Sequence, residues 1–294
     1  MTVFVLKLIA VLSMVTDHIA YVLTLASGMN TPLLFNMRAV GRIAFPIYAF
    51  LLVNGFERTR DKAAYMGRLF LFAFISQLPF SLAFCRQNYL NGTFAPIFRF
   101  AFNSGWQSRL VFIAAIIIGL FPVIFRGRRQ KELLFTAAAL CLPLIHFEFL
   151  GFIVVDSNLN VFYTLAVSFV LIWALDILIK HDGSCPSFHL LLMLTACGAL
   201  MAYILPQSDY DFRGLVLIAA LYLARSYRLG QLAVIAAWAI WMYGYNGTLL
   251  LGAISACLPV AFYKGKAGKK IKLGFYLVYP LHLAALFFIV FLLC

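Results

Sequence analysis

An aspartate and a histidine stand side by side, Asp17-His18, inside an opening stretch of residues that otherwise suits the hydrocarbon core of a membrane. An aspartate in the middle of a membrane helix costs roughly 3 kcal/mol on insertion scales, so ionisable residues at that depth normally face a bundle interior or a wet cavity. The pair therefore marks a candidate site, and the run that holds it predicts a membrane helix.

The composition predicts the class of protein. The 294 residues are 64% hydrophobic and 11% charged, with a mean hydropathy of +0.97, which is typical of a polytopic membrane protein. We expect an all-α integral membrane protein, a helical bundle of about 10–11 transmembrane helices that forms a single domain over residues 1–294. The predicted spans are 3–27, 34–56, 69–84, 110–125, 133–155, 161–179, 188–205, 212–224, 229–245, 248–263 and 273–293.

The charge pattern predicts how these spans are oriented. Sixteen of the 23 Lys and Arg residues fall in one alternating set of loops, and short loops rich in Lys and Arg stay on the cytoplasmic side of a membrane. We therefore expect a cytoplasmic N-terminus and a periplasmic C-terminus. The net charge of +13 is explained by this topology, and nucleic acid is not an expected partner. The lipid bilayer is the expected surrounding of the chain.

Metal chemistry is not expected. The six cysteines are scattered, without the CxxC or Cys/His spacing that zinc sites use. A Walker A motif is missing as well. The candidate site consists instead of ionisable residues at a similar depth in three predicted helices.

Four residues make up the predicted catalytic set. Asp17 and His18 lie about fourteen residues into the first span, Arg42 lies at a similar depth in the second, and His282 lies about nine residues into the last. Together they supply a base, an acid that orients an imidazole, and a cation that stabilises an oxyanion, which is the set of groups that acyl transfer to an amine or hydroxyl needs. The two histidines are equal candidates for the base.

The same residues lie in segments that resemble a known family. The segment LKLIAVLSMVTDHIAYVL, with Lys7, Asp17 and His18, is similar to the opening pattern of the TraX family of integral membrane proteins. The segments GRIAFP, with Arg42, and YPLHL, with His282, continue the resemblance in the right order and spacing. Other residues that carry it are Met14, Gly41, Phe45, Pro46, Arg68, Gln77, Pro79, Asn160, Thr164, Leu165, Asp209, Tyr210, Gly214, Tyr276, Tyr279 and Pro280.

The resemblance implies a function. It implies an acetyltransferase of the bacterial inner membrane that acts in pilus or fimbria biogenesis, N-acetylates a pilin subunit and uses acetyl-CoA as donor. The basic residues Arg68, Lys264 and Lys266 are candidates for binding the phosphates of CoA, since Lys and Arg are the usual phosphate ligands. Transfer can be direct or can pass through an acetyl-imidazole on either histidine.

Alternatives stay open from the sequence. The charged residues can serve structure alone, with Arg42 as the counter-ion of Asp17, in a non-enzymatic component of fimbrial assembly. An O-acetyltransferase of a cell-envelope glycan would use the same base with a hydroxyl acceptor, and a proton-coupled transporter would also use Asp17 and His18. Arg38, one turn before Arg42, is interpreted as a residue that reaches the membrane interface and is left out of the catalytic set.

Overall fold

The chain is a helical membrane protein. The computed structural model describes residues 1–85, 98–102, 145–149, 152–155, 158–180, 208–269 and 274–293. Within these residues, five helical segments are long and apolar enough to cross a membrane, and they are Val3–Ser27, Pro32–Arg58, Lys62–Phe84, Val161–Lys180 and Gly274–Leu292. The predicted fold class, an all-α polytopic membrane protein, is thereby confirmed.

The described residues contain ten helices and three short strands. The helices are α1 (Val3–Ser27), α2 (Pro32–Gly41), α3 (Ala44–Arg58), α4 (Lys62–Phe84), α5 (Val161–Lys180), α6 (Asp211–Leu223), α7 (Arg228–Tyr243), α8 (Gly247–Ser255), α9 (Cys257–Ala261) and α10 (Gly274–Leu293). The strands are β1 (Phe98–Phe102), β2 (Ile145–Phe149) and β3 (Phe152–Val155).

Seven of the eleven predicted spans coincide with these helices to within two residues at each end, and the span 69–84 begins seven residues after α4 does. The second and tenth predicted spans are each divided into two helices, α2 with α3 and α8 with α9. The predicted spans 110–125 and 188–205 lie outside the described residues, so the total of 10–11 stays a prediction. The span 133–155 is wrong at its end, because residues 145–149 and 152–155 form strands there.

The strands form one antiparallel sheet in the order β1-β2-β3. Phe98 pairs with Phe149 and Phe102 with Ile145, while a bulge interrupts the pairing of β2 with β3. The residues of β2, Ile-His-Phe-Glu-Phe, alternate apolar and polar side chains, which is a strand signal, whereas β3 is a short apolar run that fits a strand or a helix. The helix prediction followed the high hydropathy of 133–155 as a whole and overlooked this alternation.

Local sequence signals set the helix ends in the first part of the chain. The Thr2 hydroxyl accepts a hydrogen bond from the Val5 amide and caps α1, which ends at Gly28 with a left-handed φ of 69°. Thr31 caps α2 in the same way, and Pro32 occupies its first turn, where a missing N–H costs nothing. These caps fix a short connection between α1 and α2.

The chain divides into two compact units. Unit 1 comprises Met1–Asn54, Leu82–Ala95 and Ala220–Cys294, and unit 2 comprises Gly55–Ser81 and Pro96–Ala219. In unit 1, α1 packs on both α2 and α10, and α8 packs on α2 and α7. The approach of α8 to α2 is very close, because a Cβ on Gly252 would lie 2.0 Å from the Ala39 carbonyl oxygen. The prediction of one domain stays a prediction.

Unit 2 is held together by buried polar groups between α4 and α5. Asn160 is fully buried, and its Nδ2 donates to the Ala73 carbonyl at 2.8 Å and to Gln77 Oε1 at 2.9 Å. Gln77 Nε2 donates in turn to the Asn158 carbonyl at 2.6 Å. At the other end of α5, the Asp176 carboxylate accepts from Lys62 at 2.6 Å and pairs with a second lysine, Lys180. These contacts set α4 and α5 antiparallel.

Replacing Asn160 with alanine should lower the free energy of unfolding by about 2 kcal/mol or more, because it removes the buried amide that donates to Gln77 Oε1 and the Ala73 carbonyl and accepts from the Phe162 amide. Asn54→Ala is the matched control, since Asn54 Nδ2 donates to Phe50 of its own helix. The measurement is equilibrium unfolding of both variants in the same detergent. Equal losses of unfolding free energy in Asn160→Ala and Asn54→Ala would show that the buried amides of Asn160 and Gln77 do not hold unit 2 together.

Candidate functional site

The candidate site lies in unit 1 and begins with a buried carboxylate between two arginines. Asp17 Oδ1 accepts from Arg42 Nη2 at 2.6 Å, and Asp17 Oδ2 accepts from Arg38 Nη1 at 3.3 Å. Arg42 is fixed further, because its Nε donates to the Arg38 carbonyl at 3.1 Å and its Nη1 to the Tyr243 hydroxyl at 3.5 Å. One carboxylate against two guanidinium groups leaves a surplus positive charge in this cluster.

The carboxylate reaches both arginines because α1 and α2 approach closely at Gly41. A Cβ added to Gly41 would lie 2.2 Å from the Cβ of Asp17 and 2.6 Å from its Cγ. Real Cβ atoms do not come so near, so only glycine allows the two backbones this separation. The glycine directly before Arg42 therefore sets the distance between the helices at the ion pair.

Next to the carboxylate, the two histidines of the predicted set are bonded to each other. His18 Nδ1 and His282 Nε2 are 2.6 Å apart, and the rings are nearly parallel, with 13° between their planes. His282 Nδ1 lies 2.7 Å from the Val278 carbonyl oxygen, one turn earlier in α10. The pair thus joins α1 to α10 across an interface of packed side chains.

The Val278 carbonyl assigns the protons of the pair when both rings are neutral. A carbonyl only accepts, so His282 Nδ1 carries a proton and donates it. His282 Nε2 is then an acceptor, and His18 Nδ1 is its donor. The acceptor nitrogen left over is His18 Nε2, which bonds no other group among the residues the structure describes. The site therefore presents one basic nitrogen.

Aromatic rings surround this pair. Phe84 and Tyr279 both meet the His18 ring edge-on, with centroids 4.9 Å and 5.8 Å away. Tyr279 also lies 5.6 Å from the His282 ring. His18 itself is only 6% exposed. The rings leave little freedom for either imidazole to turn, which keeps the proton assignment fixed.

All four residues of the predicted catalytic set come together in unit 1, as two neighbouring pairs. The role predicted for Asp17 differs from its contacts, because Asp17 touches arginines and, in the described part of the chain, no imidazole. The carbonyl of Val278 orients the imidazole instead. Arg38, interpreted from the sequence as an interface residue, instead pairs with Asp17, and its guanidinium lies 4.4 Å from the centroid of the Tyr21 ring.

A sequence pattern connects Arg38 to the site, whereas none connects Tyr243 to it. Arg38 is one turn before Arg42, and two cations on one face of a helix point to a shared anion. Tyr243 is some two hundred residues away from Arg42 along the chain, at the end of α7, and no local pattern connects the two.

The predicted phosphate ligands fall in two places. Lys264 and Lys266 are exposed on a loop that is bonded to the start of α1, because Val3 N donates to the Lys266 carbonyl at 2.9 Å and Lys264 N to the Met1 carbonyl at 3.0 Å. Arg68 belongs to unit 2 and lies over the Tyr65 ring, 5.6 Å from its centroid. The binding role of these three residues stays a prediction.

The described residues hold no group of three or more His, Cys, Asp or Glu side chains that could bind a metal ion.

Comparison with known proteins identifies the family. A sequence model of the TraX protein family matches residues 3–152 and 111–290, which together cover most of the chain. This chain belongs to the TraX family. It is also 38% identical over 74 residues to a protein of Dichelobacter nodosus named "Probable fimbrial assembly protein FimC, serogroup H1". That match covers 25% of this chain and 29% of the relative, and no solved structure matches the chain.

Replacing Gly41 with alanine should separate α1 from α2 and weaken the Asp17–Arg42 bond, because the added Cβ overlaps a side chain that is held on both oxygens. We expect a loss of about 2 kcal/mol in the free energy of unfolding. Gly247→Ala is the control, since nothing lies within 4 Å of its added Cβ. Equal stability of the two variants in a thermal unfolding assay would contradict the close approach.

Proposed function

We propose that this TraX-family chain is an acetyltransferase of the bacterial inner membrane that N-acetylates a pilin subunit from acetyl-CoA during pilus or fimbria biogenesis. The observation that carries the proposal is the bonded pair of His18 and His282, with one basic nitrogen, beside a carboxylate held by two arginines. A base and a surplus cation in one buried site are the groups that acyl transfer requires.

In the proposed reaction His18 Nε2 is the general base. It takes a proton from the acceptor amine as the amine nitrogen attacks the thioester carbonyl of the donor. The carbonyl oxygen becomes negatively charged, and the cationic pair of Arg38 and Arg42 stabilises that charge. When the tetrahedral intermediate collapses, the carbon–sulfur bond breaks, and the proton held by His18 passes to the leaving thiolate. The products are an amide and free CoA.

His282 supports this role without touching the substrate. Its Nδ1 proton is held by the Val278 carbonyl, so its Nε2 accepts from His18 and keeps the basic nitrogen of His18 on the side away from His282. When His18 becomes positively charged, the same hydrogen bond strengthens, because charge-assisted hydrogen bonds are roughly twice as strong as neutral ones. His282 is therefore a positioning residue in this mechanism.

The pilus and fimbria part of the proposal is supported by family membership and by the printed name of the relative from Dichelobacter nodosus. That name specifies assembly and no chemistry, so it also favours a second candidate function. In this second candidate the chain is a non-enzymatic membrane component of fimbrial assembly, and the ion pair and the histidine pair only hold helices together. In a third candidate the acceptor is the hydroxyl of a cell-envelope glycan, and the same base would serve it.

Intact-mass spectrometry of the pilin tests the proposal. In the His18→Gln strain the initial rate of pilin acetylation should fall at least about 100-fold, since general base catalysis contributes that much or more. The deletion strain should lack the acetyl group altogether. Thr16→Val is the control, because the Thr16 hydroxyl bonds to Leu12 of its own helix and takes no part in the site. All proteins are compared at equal expression.

The other outcomes separate the candidates. Pilin of unchanged mass with missing fimbriae in the deletion strain would contradict acetylation and favour the assembly role. Pilin of unchanged mass with normal fimbriae, together with reduced acetyl content of the surface polysaccharide, would favour the glycan acceptor.

A further inference from the structure

Lys7 is a cation inside the first membrane helix that the described site does not use. It lies in the second turn of α1 and is half-buried, with its Nζ 5.3 Å from the centroid of the Phe275 ring of α10. Within the part of the chain that the structure describes, Lys7 makes no ion pair and no hydrogen bond. Its one described contact is with the face of an aromatic ring, so its ammonium N–H donors can bind an anionic ligand.

Lys7 and the histidine pair lie on the same stripe of α1. Lys7 and His18 are eleven residues apart, which is about three full turns, so their side chains point in nearly the same direction. On α10, Phe275 and His282 are seven residues apart, or about two turns. The contacts of Lys7 with Phe275 and of His18 with His282 mark two points along one seam between α1 and α10.

The loop that carries Lys264 and Lys266 lies at the start of this seam. The first two amides of α1, those of Val3 and Phe4, donate to the carbonyls of Lys266 and Ala267 at 2.9 Å and 3.2 Å. Gly268, with a left-handed φ of 71°, lets the loop pass directly over Thr2. Along the axis of α1 the order is therefore the loop lysines, then Lys7, then, roughly 16 Å further on, His18.

We propose that Lys7 binds the pyrophosphate of the CoA donor and that the pantetheine arm follows the seam between α1 and α10 to the histidine pair. This inference rests on the proposed function. CoA has the matching arrangement of groups, with phosphates at one end, an extended uncharged arm, and the thioester at the far end. Lys7 meets the phosphate where the arm begins, and His18 meets the thioester where the arm ends.

The phosphate of an anionic lipid offers Lys7 the same chemistry, so the test separates the two sources. The full-length protein is placed in nanodiscs of phosphatidylcholine alone, and the affinities for CoA and for acetyl-pantetheine, which has no phosphate, are measured directly. The variants are Lys7→Met, which removes the charge at similar length, and Lys7→Arg, which keeps it. Lys180→Met is the control for loss of a helix-end cation, since Lys180 pairs with Asp176.

The expected result is that Lys7→Met weakens CoA binding at least about 10-fold and leaves acetyl-pantetheine binding unchanged. Lys7→Arg should stay within about 3-fold of the parent for CoA, and Lys180→Met should not differ from it. Retained acetyl-pantetheine binding by Lys7→Met also shows that this variant is folded. None of these readouts needs acetyl transfer to occur.

Three results would overturn the inference. Unchanged CoA affinity in Lys7→Met would remove the role of Lys7 and leave the proposed function standing. An equal loss for CoA and acetyl-pantetheine would mean that the variant changes the seam and not a phosphate contact. If the parent protein binds no CoA, both this inference and the proposed donor are wrong. In the first case, less phosphatidylglycerol co-purifying with Lys7→Met than with the parent protein would assign Lys7 to a lipid headgroup.

Discussion

The buried carboxylate of Asp17 is the interaction on which the rest of unit 1 depends. A lone aspartate inside a membrane helix would be too costly to keep ionised, and Arg42 at 2.6 Å with Arg38 at 3.3 Å offsets that cost. To reach Asp17, α2 must approach α1 as closely as Gly41 allows. Asp17 is followed directly by His18, so the same ion pair also fixes the position of the His18 side chain.

The histidine pair gives the candidate site a defined arrangement of proton donors and acceptors. Because His282 Nδ1 donates its proton to the Val278 carbonyl, His282 Nε2 is an acceptor, and His18 Nδ1 carries the proton of the hydrogen bond between the two rings. Helices α1, α2 and α10 each supply part of the arrangement, and Tyr243 of α7 adds a contact to Arg42. The candidate site is thereby formed by helices from the first and last parts of the chain, each held in place by its neighbours.

Much of this was predictable, since the depth of Asp17, Arg42 and His282 in their helices depends on sequence position alone. Their adjacency was not predictable, because helix neighbours in a bundle are chosen by side chains from distant segments, as the contact between Arg42 and Tyr243 shows. The contacts of Asp17 with two arginines depend on the same adjacency. The strands at 145–155 were missed because the high hydropathy of the segment outweighed the apolar/polar alternation of residues 145–149.

A double-mutant cycle on Asp17→Ala and Arg42→Ala, measured as the free energy of unfolding, tests the central claim most directly. The two single variants should each lose stability, and the double variant should lose less than their sum by about 2 kcal/mol or more. The cycle with Arg38→Ala should give a smaller coupling, because that bond is longer and more exposed. Losses that add to within about 0.5 kcal/mol for Asp17 and Arg42 would contradict the account.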